Sequence, residues 1–339
     1  WPTKINGRTL NIGQPMPEKR YFAYTSREPV GVVGIISPWN FPVATAVWKI
    51  APALAFGNAV IWKPANLVPA SAVAVTEIIS RHSDKGMPKG LFNLVMGTGS
   101  YIGQQLIESS MLDAISFTGS VDVGKKIAAS AISNLTKLQM EMGSKNALVV
   151  MDDADMDTAV ACALNGAFGG SGQKCTASSR LVVHCNVEDE FVRRLVDDAK
   201  AMVVDHALKP GTQMGPVVSA EQLQQNLDYV ALAKKEGAER LCGGERLERE
   251  TDGYYMSPAV FANTRNDMRV NREEMFAPIV CVIKVDAYEE ALATVNDTKF
   301  GLTSGIITQS LSRATHFRRH ARTGCVMDNL PTAGTDYHV

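Results

Sequence analysis

The chain has 339 residues, 45% of them hydrophobic and 20% charged, a balance that suits about two globular domains with an ample apolar core. Thirty-four Lys and Arg offset 35 Asp and Glu, leaving a net charge of −1, so no chain-wide field favours nucleic acid or an anionic membrane. No apolar run approaches the roughly 20 residues of a membrane span and the first residues lack the form of a signal peptide, while six cysteines (162, 175, 185, 242, 281 and 325) without CxxC spacing argue for reduced thiols in the cytoplasm and against a zinc or disulfide framework.

Residues 1–27 are polar and read as a hairpin or arm, whose strand pattern is broken by Gly13, Pro15 and Pro17 and resumes at ArgTyrPheAlaTyrThr. From Val32 short apolar runs alternate with amphipathic stretches: ValValGlyIleIle, residues 43–55, AsnAlaValIleTrp, residues 69–82, then LeuPheAsnLeuVal. This is the βαβ pattern of a mostly parallel sheet covered by helices. SerProTrpAsnPhePro, residues 37–42, follows the first strand, where ligands sit in such sheets. Its Asn40 is either a turn residue or an amide donor to an oxyanion. LysProAlaAsn, residues 63–66, ends the next strand with a lysine that can reach a phosphate or remain a solvated surface charge. Gly97, Gly99 and Gly103 then follow a strand with GxGxxxG spacing, one residue longer than the usual dinucleotide fingerprint, and suit either a tight turn or backbone approach to a pyrophosphate.

PheThrGlySer, residues 117–120, forms a second strand-to-helix turn in which Ser120 suits a helix cap. LeuGlnMetGluMet places Glu141 in an apolar strand, and a carboxylate buried there is costly unless paired or functional as a base. A domain boundary is expected near residues 143–146. Beyond it a second alternation begins with AlaLeuValValMet, an acidic helix opening from Asp152, a helix to Phe168, ArgLeuValValHis and a helix over 187–203. Between these elements Cys175 sits among small residues after Gly169, Gly170, Gly172 and Lys174. Room and a nearby cation are what a reactive thiolate needs, whereas inert cysteines lie among apolar neighbours. GluGluMetPheAlaPro, residues 273–278, carries Glu274 and Phe276 before another strand, where they suit a ribose and a nicotinamide or a plain strand start.

ProTrpAsnPhePro, LysProAla, GxGxxxG, PheThrGlySer, GluMetGlySerLys, GlyGlnLysCys, GluGluMetPheAlaPro and PheGlyLeu follow one another along nearly the whole chain. In that order they resemble the NAD(P)-dependent aldehyde dehydrogenase superfamily. LysCysThrAlaSerSerArg, AspHisAlaLeuLysProGlyThr and the last eleven residues look most like the 2-oxoglutarate semialdehyde (2,5-dioxopentanoate) dehydrogenases. The resemblance implies an α/β fold of two Rossmann-like parallel-sheet domains with an oligomerisation hairpin: residues 1–27 as the arm, 28–143 as the dinucleotide-binding domain, 144–335 as the catalytic domain and 336–339 as the start of a further segment. It implies a homodimer or homotetramer, a small aldehyde substrate, NAD or NADP as cofactor and no metal.

The implied roles are Cys175 as nucleophile, the Asn40 amide and the Cys175 backbone N–H as oxyanion donors, and Glu141 as the base for hydrolysis, with the reaction between the two domains. Cofactor contacts are implied for Trp39, Lys63, Asn66, Gly97, Gly99, Gly103, Phe117, Thr118, Ser120, Gln222, Glu274 and Phe276. Asn66 stands where many NAD-preferring members carry a glutamate, and a neutral amide there would tolerate the 2′-phosphate of NADP. Ser144 and Ala277 replace family glycines, Asp328 puts a charge at an apolar strand end, and Gly169 in place of a bulky aromatic implies a wider substrate pocket. Family members extend beyond both Trp1 and Val339, so the sequence reads as part of a longer enzyme. Succinate semialdehyde or another aliphatic aldehyde is the alternative substrate, and a non-catalytic nucleotide-binding relative is the alternative class.

Overall fold

The structure is a computed structural model that describes residues 6–13, 20–81 and 87–333, and the chain divides into two units, Trp1–Met142 and Gly143–Val339. Pro15 and Pro17 of the expected hairpin, the end of the expected helix at residue 82, and residues 336–339 lie outside the described residues.

In the first unit β1 (Arg8–Leu10) and β2 (Ala23–Thr25) pair antiparallel, Arg8 opposite Thr25. The strands β3 (Val32–Ile36), β4 (Ala59–Lys63), β5 (Phe92–Leu94), β6 (Ala114–Gly119) and β7 (Lys137–Met142) form an all-parallel sheet in the order β5-β4-β3-β6-β7. The helices α1 (Ala44–Ala55), α2 (Pro69–Ser80), α3 (Gln104–Glu108) and α4 (Val121–Asn134) connect them. Pro69 starts α2, where its missing N–H costs nothing. Leu135, with φ 52°, ends α4 in a left-handed turn. One face of the sheet buries Val33, Ile35, Val60 and Trp62 with Ala46, Ile50 and Ala72 of the helices. The other buries Ile115 and Phe117 with Leu106, Ile107 and Ile127. The chain leaves β3 toward one edge and returns at β6 toward the other. That reversal opens a crevice outside the carboxyl ends of β3 and β6.

The second unit is built on β8 (Asn146–Val150), β9 (Ser178–His184), β10 (Glu239–Cys242), β13 (Ala259–Ala262), β14 (Ile279–Val285), β15 (Thr303–Ile307) and β16 (Cys325–Asp328), ordered β10-β13-β14-β9-β8-β15-β16. All neighbours are parallel except β10 and β13, and a small ribbon joins β11 (Arg246–Leu247) to β12 (Tyr255–Met256). The helices α5 (Met156–Phe168), α6 (Cys185–Ala201), α7 (Ala220–Lys235), α8 (Arg269–Arg272), α9 (Tyr288–Asn296) and α10 (Leu311–His320) complete the unit. Every residue of β8 is buried, as its continuous apolar run requires of a strand covered on both faces. Asp155 caps α5 by accepting from Thr158 N at 2.9 Å. The expected helix over 187–203 starts two residues earlier because His184 Nδ1 accepts from Asn186 N at 3.2 Å and acts as its cap. Phe168, Phe191, Leu195 and Val260 fill the core between α5, α6 and the sheet.

Two cations are enclosed in this unit, Lys145 and Arg180, each 1% exposed. Burial lowers the Lys145 ammonium to about 8, with Arg180 acting in the same direction and Cys281, Glu274 and Glu273 opposing. Lys49 of the first unit is also lowered to about 8 by burial, against the pull of Glu141. In the unfolded chain both return to about 10.5, so between pH 8 and 10.5 the unfolded state binds more protons and stability rises with pH. Lys145→Met is expected to stabilise the protein at pH 8 by about 1–3 kcal/mol and to remove about half of that slope. Urea melts at pH 8 and 10 measure both quantities, and an unchanged slope in the variant would refute the assignment.

Candidate functional site

The carboxyl ends of the first sheet gather several residues that the sequence singles out. Ser37 follows β3, donating its N–H to Lys63 O at 3.2 Å and accepting from Trp62 Nε1 at 2.9 Å. These bonds fix the start of the bend that presents Trp39 and Asn40, both half-buried. Lys63 ends β4 and is 5% exposed, with Nζ donating to Pro64 O at 3.0 Å and its pKa lowered by burial. A Cβ on Gly103 would lie 3.7 Å from Lys63 Cε, so the lysine and the glycine turn are neighbours. Gly99–Gly103 forms one π-helical turn before α3. A π turn holds one residue more than an α turn, which accounts for the long GxGxxxG spacing. Gly99 has nothing within 4 Å of its absent Cβ. Asn66 is exposed in the turn before α2.

On β6, Thr118 pairs in register with Glu141 of β7, and its hydroxyl oxygen is buried without a hydrogen-bond partner. Such an orphan is costly unless a ligand satisfies it. With Lys63 and the open glycine turn, these residues fit a nucleotide cofactor. Phe117 does not fit the cofactor role expected of it: its ring is 2% exposed and belongs to the core, because period-two alternation turns it to the opposite face from Thr118. Ser120 Oγ caps α4, accepting from Val123 N at 3.4 Å.

Glu141 is also corrected. It is exposed on β7, the edge strand of the sheet, rather than buried among apolar residues. It is nevertheless held. Lys49 Nζ donates to Gln139 Oε1 at 2.8 Å and to Ser116 Oγ at 3.0 Å, and Gln139 Nε2 donates to Glu141 Oε1 at 2.9 Å. The cation thereby orients the amide, and the amide orients the carboxylate. Sequence reasoning missed Lys49, Ser116 and Gln139; a lysine inside the apolar run ThrAlaValTrpLysIleAlaProAla was the available signal.

In the second unit the candidate residues lie at the opposite strand ends. Cys175 precedes β9, Glu274 and Phe276 precede β14, and Ser144 precedes β8, so all four stand at amino ends. Gly170, Ser171 and Gly172 run consecutively left-handed, with φ of 63°, 57° and 66°. Ser171 is held in this unfavourable conformation by its hydroxyl, which donates to Gly215 O at 2.8 Å. Val218 N donates to Gln173 Oε1 at 2.9 Å. Asn146, unrecognised in the sequence, donates through Nδ2 to Cys175 O at 2.7 Å and Ala177 O at 2.9 Å, while its Oδ1 accepts from Thr303 N at 3.1 Å. Thr332 Oγ1 donates to Thr176 O at 2.7 Å. The loop thus holds Cys175, itself half-buried, through its backbone.

Glu274 accepts from Ser144 N at 3.0 Å, and burial raises its carboxyl pKa. A Cβ on Gly143 would lie 1.8 Å from that carboxylate, so a larger residue there would displace the Glu274 side chain. The expected bulk of Ser144 is accommodated: its Oγ accepts from Leu302 N at 3.4 Å. Phe276 has φ 54°. Its turn is braced by Gln222, whose Nε2 donates to Phe276 O at 3.3 Å, and by Gln225, which donates to Met275 O at 3.1 Å. Gln222 therefore acts on Phe276 through the backbone. Asp328 pairs with Arg318 at 3.1 Å. Among the described residues no cluster of three metal-ligating side chains occurs and no helix is long and apolar enough to cross a membrane.

The aldehyde dehydrogenase family model matches residues 1–339. The chain belongs to that family. It is 43% identical over 324 residues to the alpha-ketoglutaric semialdehyde dehydrogenase of Bacillus subtilis, covering 95% of this chain and 66% of that protein. It is 41% identical to the alpha-ketoglutarate semialdehyde dehydrogenase of Haloferax volcanii, covering 93% and 65%. The fold is that of the Staphylococcus aureus betaine aldehyde dehydrogenase solved with NAD+ and a BME-free cysteine, at a TM-score of 0.91, 35% identity, and 97% and 64% coverage. The chain thus spans just under two thirds of the length of these relatives.

The backbone of Gly172 is the tightest constraint on the cysteine loop, since a Cβ there would lie 2.1 Å from Ala277 O at a φ of 66°. Gly172→Ala is expected to cost about 2 kcal/mol or more and to change the rate at which iodoacetamide labels Cys175. Unaltered stability and labelling would contradict this packing.

Proposed function

We propose that this chain carries the chemistry of an NAD(P)-dependent aldehyde dehydrogenase acting on 2-oxoglutarate semialdehyde. The supporting observation is the seating of Cys175: a half-buried thiol on a loop anchored by a buried amide, in a member of the aldehyde dehydrogenase family. The substrate is supported by the names of the two semialdehyde dehydrogenases at 43% and 41% identity. A reactive thiol is in keeping with the S. aureus relative, whose cysteine is also recorded BME-modified.

In this reading the Cys175 thiolate attacks the aldehyde carbon and forms a thiohemiacetal. The Asn40 side-chain amide and the Cys175 backbone N–H donate to its oxyanion. A bound nicotinamide would supply the hydride acceptor for that carbon, so that Cys175 would be left as a thioester. Glu141 accepts a proton from the water that attacks the thioester, releasing the carboxylic acid and the thiol. Lys63, Thr118 and the Gly99–Gly103 turn would hold the nucleotide, with Trp39, Asn66, Gly97, Ser120, Glu274 and Phe276 as further contacts and Gln222 bracing Phe276. Asn66 adds no negative charge, so a 2′-phosphate is tolerated and NADP is used alongside NAD. The exposed Leu10, Phe22 and Tyr24 of the β1–β2 hairpin suit burial against a second copy in a dimer or tetramer, and reactive thiols suit the reducing cytoplasm.

Two kinetic tests bear on this reading, both on the full-length protein. Cys175→Ala is expected to abolish cofactor reduction, and Glu141→Gln to keep the first burst of NAD(P)H while slowing steady turnover about 100-fold or more. A wild-type protein that reduces neither cofactor with any semialdehyde would sink the proposal. Separately, kcat/KM with NADP is expected within about tenfold of that with NAD, a margin of about 1.4 kcal/mol; a larger NAD preference would remove the role given to Asn66.

A further inference from the structure

Two cations stand beside Cys175 in sequence, and the structure separates their uses. Arg180 is 1% exposed and makes four hydrogen bonds in the interior. Its Nε donates to Lys145 O at 3.1 Å, its Nη1 to Asn266 Oδ1 and Thr294 O at 2.9 and 2.8 Å, and its Nη2 to Val295 O at 3.2 Å. Lys174 is half-buried, and its Nζ donates to Asn165 O at 3.0 Å. An ammonium has three N–H donors, so capacity remains for a ligand. The side chain runs across two glycines: a Cβ at 169 would lie 3.1 Å from Nζ, and one at 170 would lie 3.6 Å from Cγ. Gly169 and Asn165 also line a cleft of about 450 Å³, together with Leu164, Asp198 and Gln213.

We infer that Lys174, left uncovered by Gly169, recognises the carboxylate of an acid-bearing aldehyde whose other end reacts at Cys175. This deepens the function proposed above and rests on it. The reach is adequate. The aldehyde and carboxylate carbons of a five-carbon semialdehyde are roughly 5 Å apart across bonds of about 1.5 Å, and consecutive Cα atoms are about 3.8 Å apart. Burial lowers the Lys174 pKa and the sulfur of Cys175, the next residue in the chain, opposes that shift.

Two other roles for Lys174 differ in their signature. A lysine donating to a carbonyl in the last turn of α5 stabilises that helix end, and a cation near a thiolate activates it. Either role affects charged and uncharged aldehydes alike, so the ratio of their kcat/KM values isolates carboxylate recognition. On the full-length protein we expect Lys174→Gln to lower the ratio for 2-oxoglutarate semialdehyde over pentanal by about 10- to 100-fold. The loss should appear mainly in KM and be largely restored by Lys174→Arg. Gly169→Leu, which leaves the lysine in place but covers its ammonium, should lower the ratio in the same direction if Lys174→Gln fails to fold. An unchanged ratio in these variants, or a Lys174→Arg protein no better than Lys174→Gln, overturns the inference while pentanal oxidation by the wild type keeps the dehydrogenase reading intact. A wild-type protein that oxidises neither aldehyde overturns both.

Discussion

The amide of Asn146 is the interaction on which the second unit's candidate site depends. It is 2% exposed at the first position of β8, and its three hydrogen bonds join the cysteine loop, the start of β9 and the start of β15. A buried amide that satisfies three main-chain groups is hard to replace, because each lost partner leaves an uncompensated polar atom in the interior. The bond to Cys175 falls on its carbonyl oxygen, so the loop is secured without using the sulfur. A thiol fixed through its backbone retains its chemistry.

The same economy of backbone contacts explains the unusual conformations nearby. Three successive left-handed residues, one of them Ser171, and a left-handed Phe276 would be unfavourable in an unconstrained loop. Ser171 is held by its own hydroxyl, which donates to Gly215 O, and Phe276 by the Gln222 and Gln225 amides, which donate to the 275–276 carbonyls. The first unit solves a different problem at the other strand ends. There the parallel sheet reverses its winding between β3 and β6, and the open positions are a glycine turn, a buried lysine and an unsatisfied threonine hydroxyl. Those groups are suited to a polar ligand, whereas at the amino ends of the second sheet the bonds of Asn146, Ser171 and Thr332 gather around the cysteine loop.

Charge inside the units follows function only in part. Lys49 is enclosed yet has three oxygen partners, and through Gln139 it sets the direction of an exposed carboxylate. Lys145 Nζ has no hydrogen-bond partner among the described residues, and Arg180 spends its donors on carbonyls. The three cations differ in what the fold places around them.

Much of the chain was legible from its sequence because the signals are local. The βαβ alternation, the acidic opening of the helix after Asp152 and the glycine-flanked cysteine are each carried by neighbouring residues, and short-range periodicity and side-chain chemistry suffice to read them. The ordered motifs also pointed to the aldehyde dehydrogenase family, which the match over residues 1–339 bears out. What the sequence could not decide was direction. Alternation on β6 sends the Phe117 ring into the core, and the edge position of β7 exposes Glu141. Partners from distant segments make Gln222 a brace, Asn146 an anchor and Arg180 an internal donor. Only tertiary structure decided these, since whether a polar side chain meets a carbonyl, solvent or a cleft depends on groups far away along the chain, as the bond between Thr303 and Asn146, 157 residues apart, illustrates.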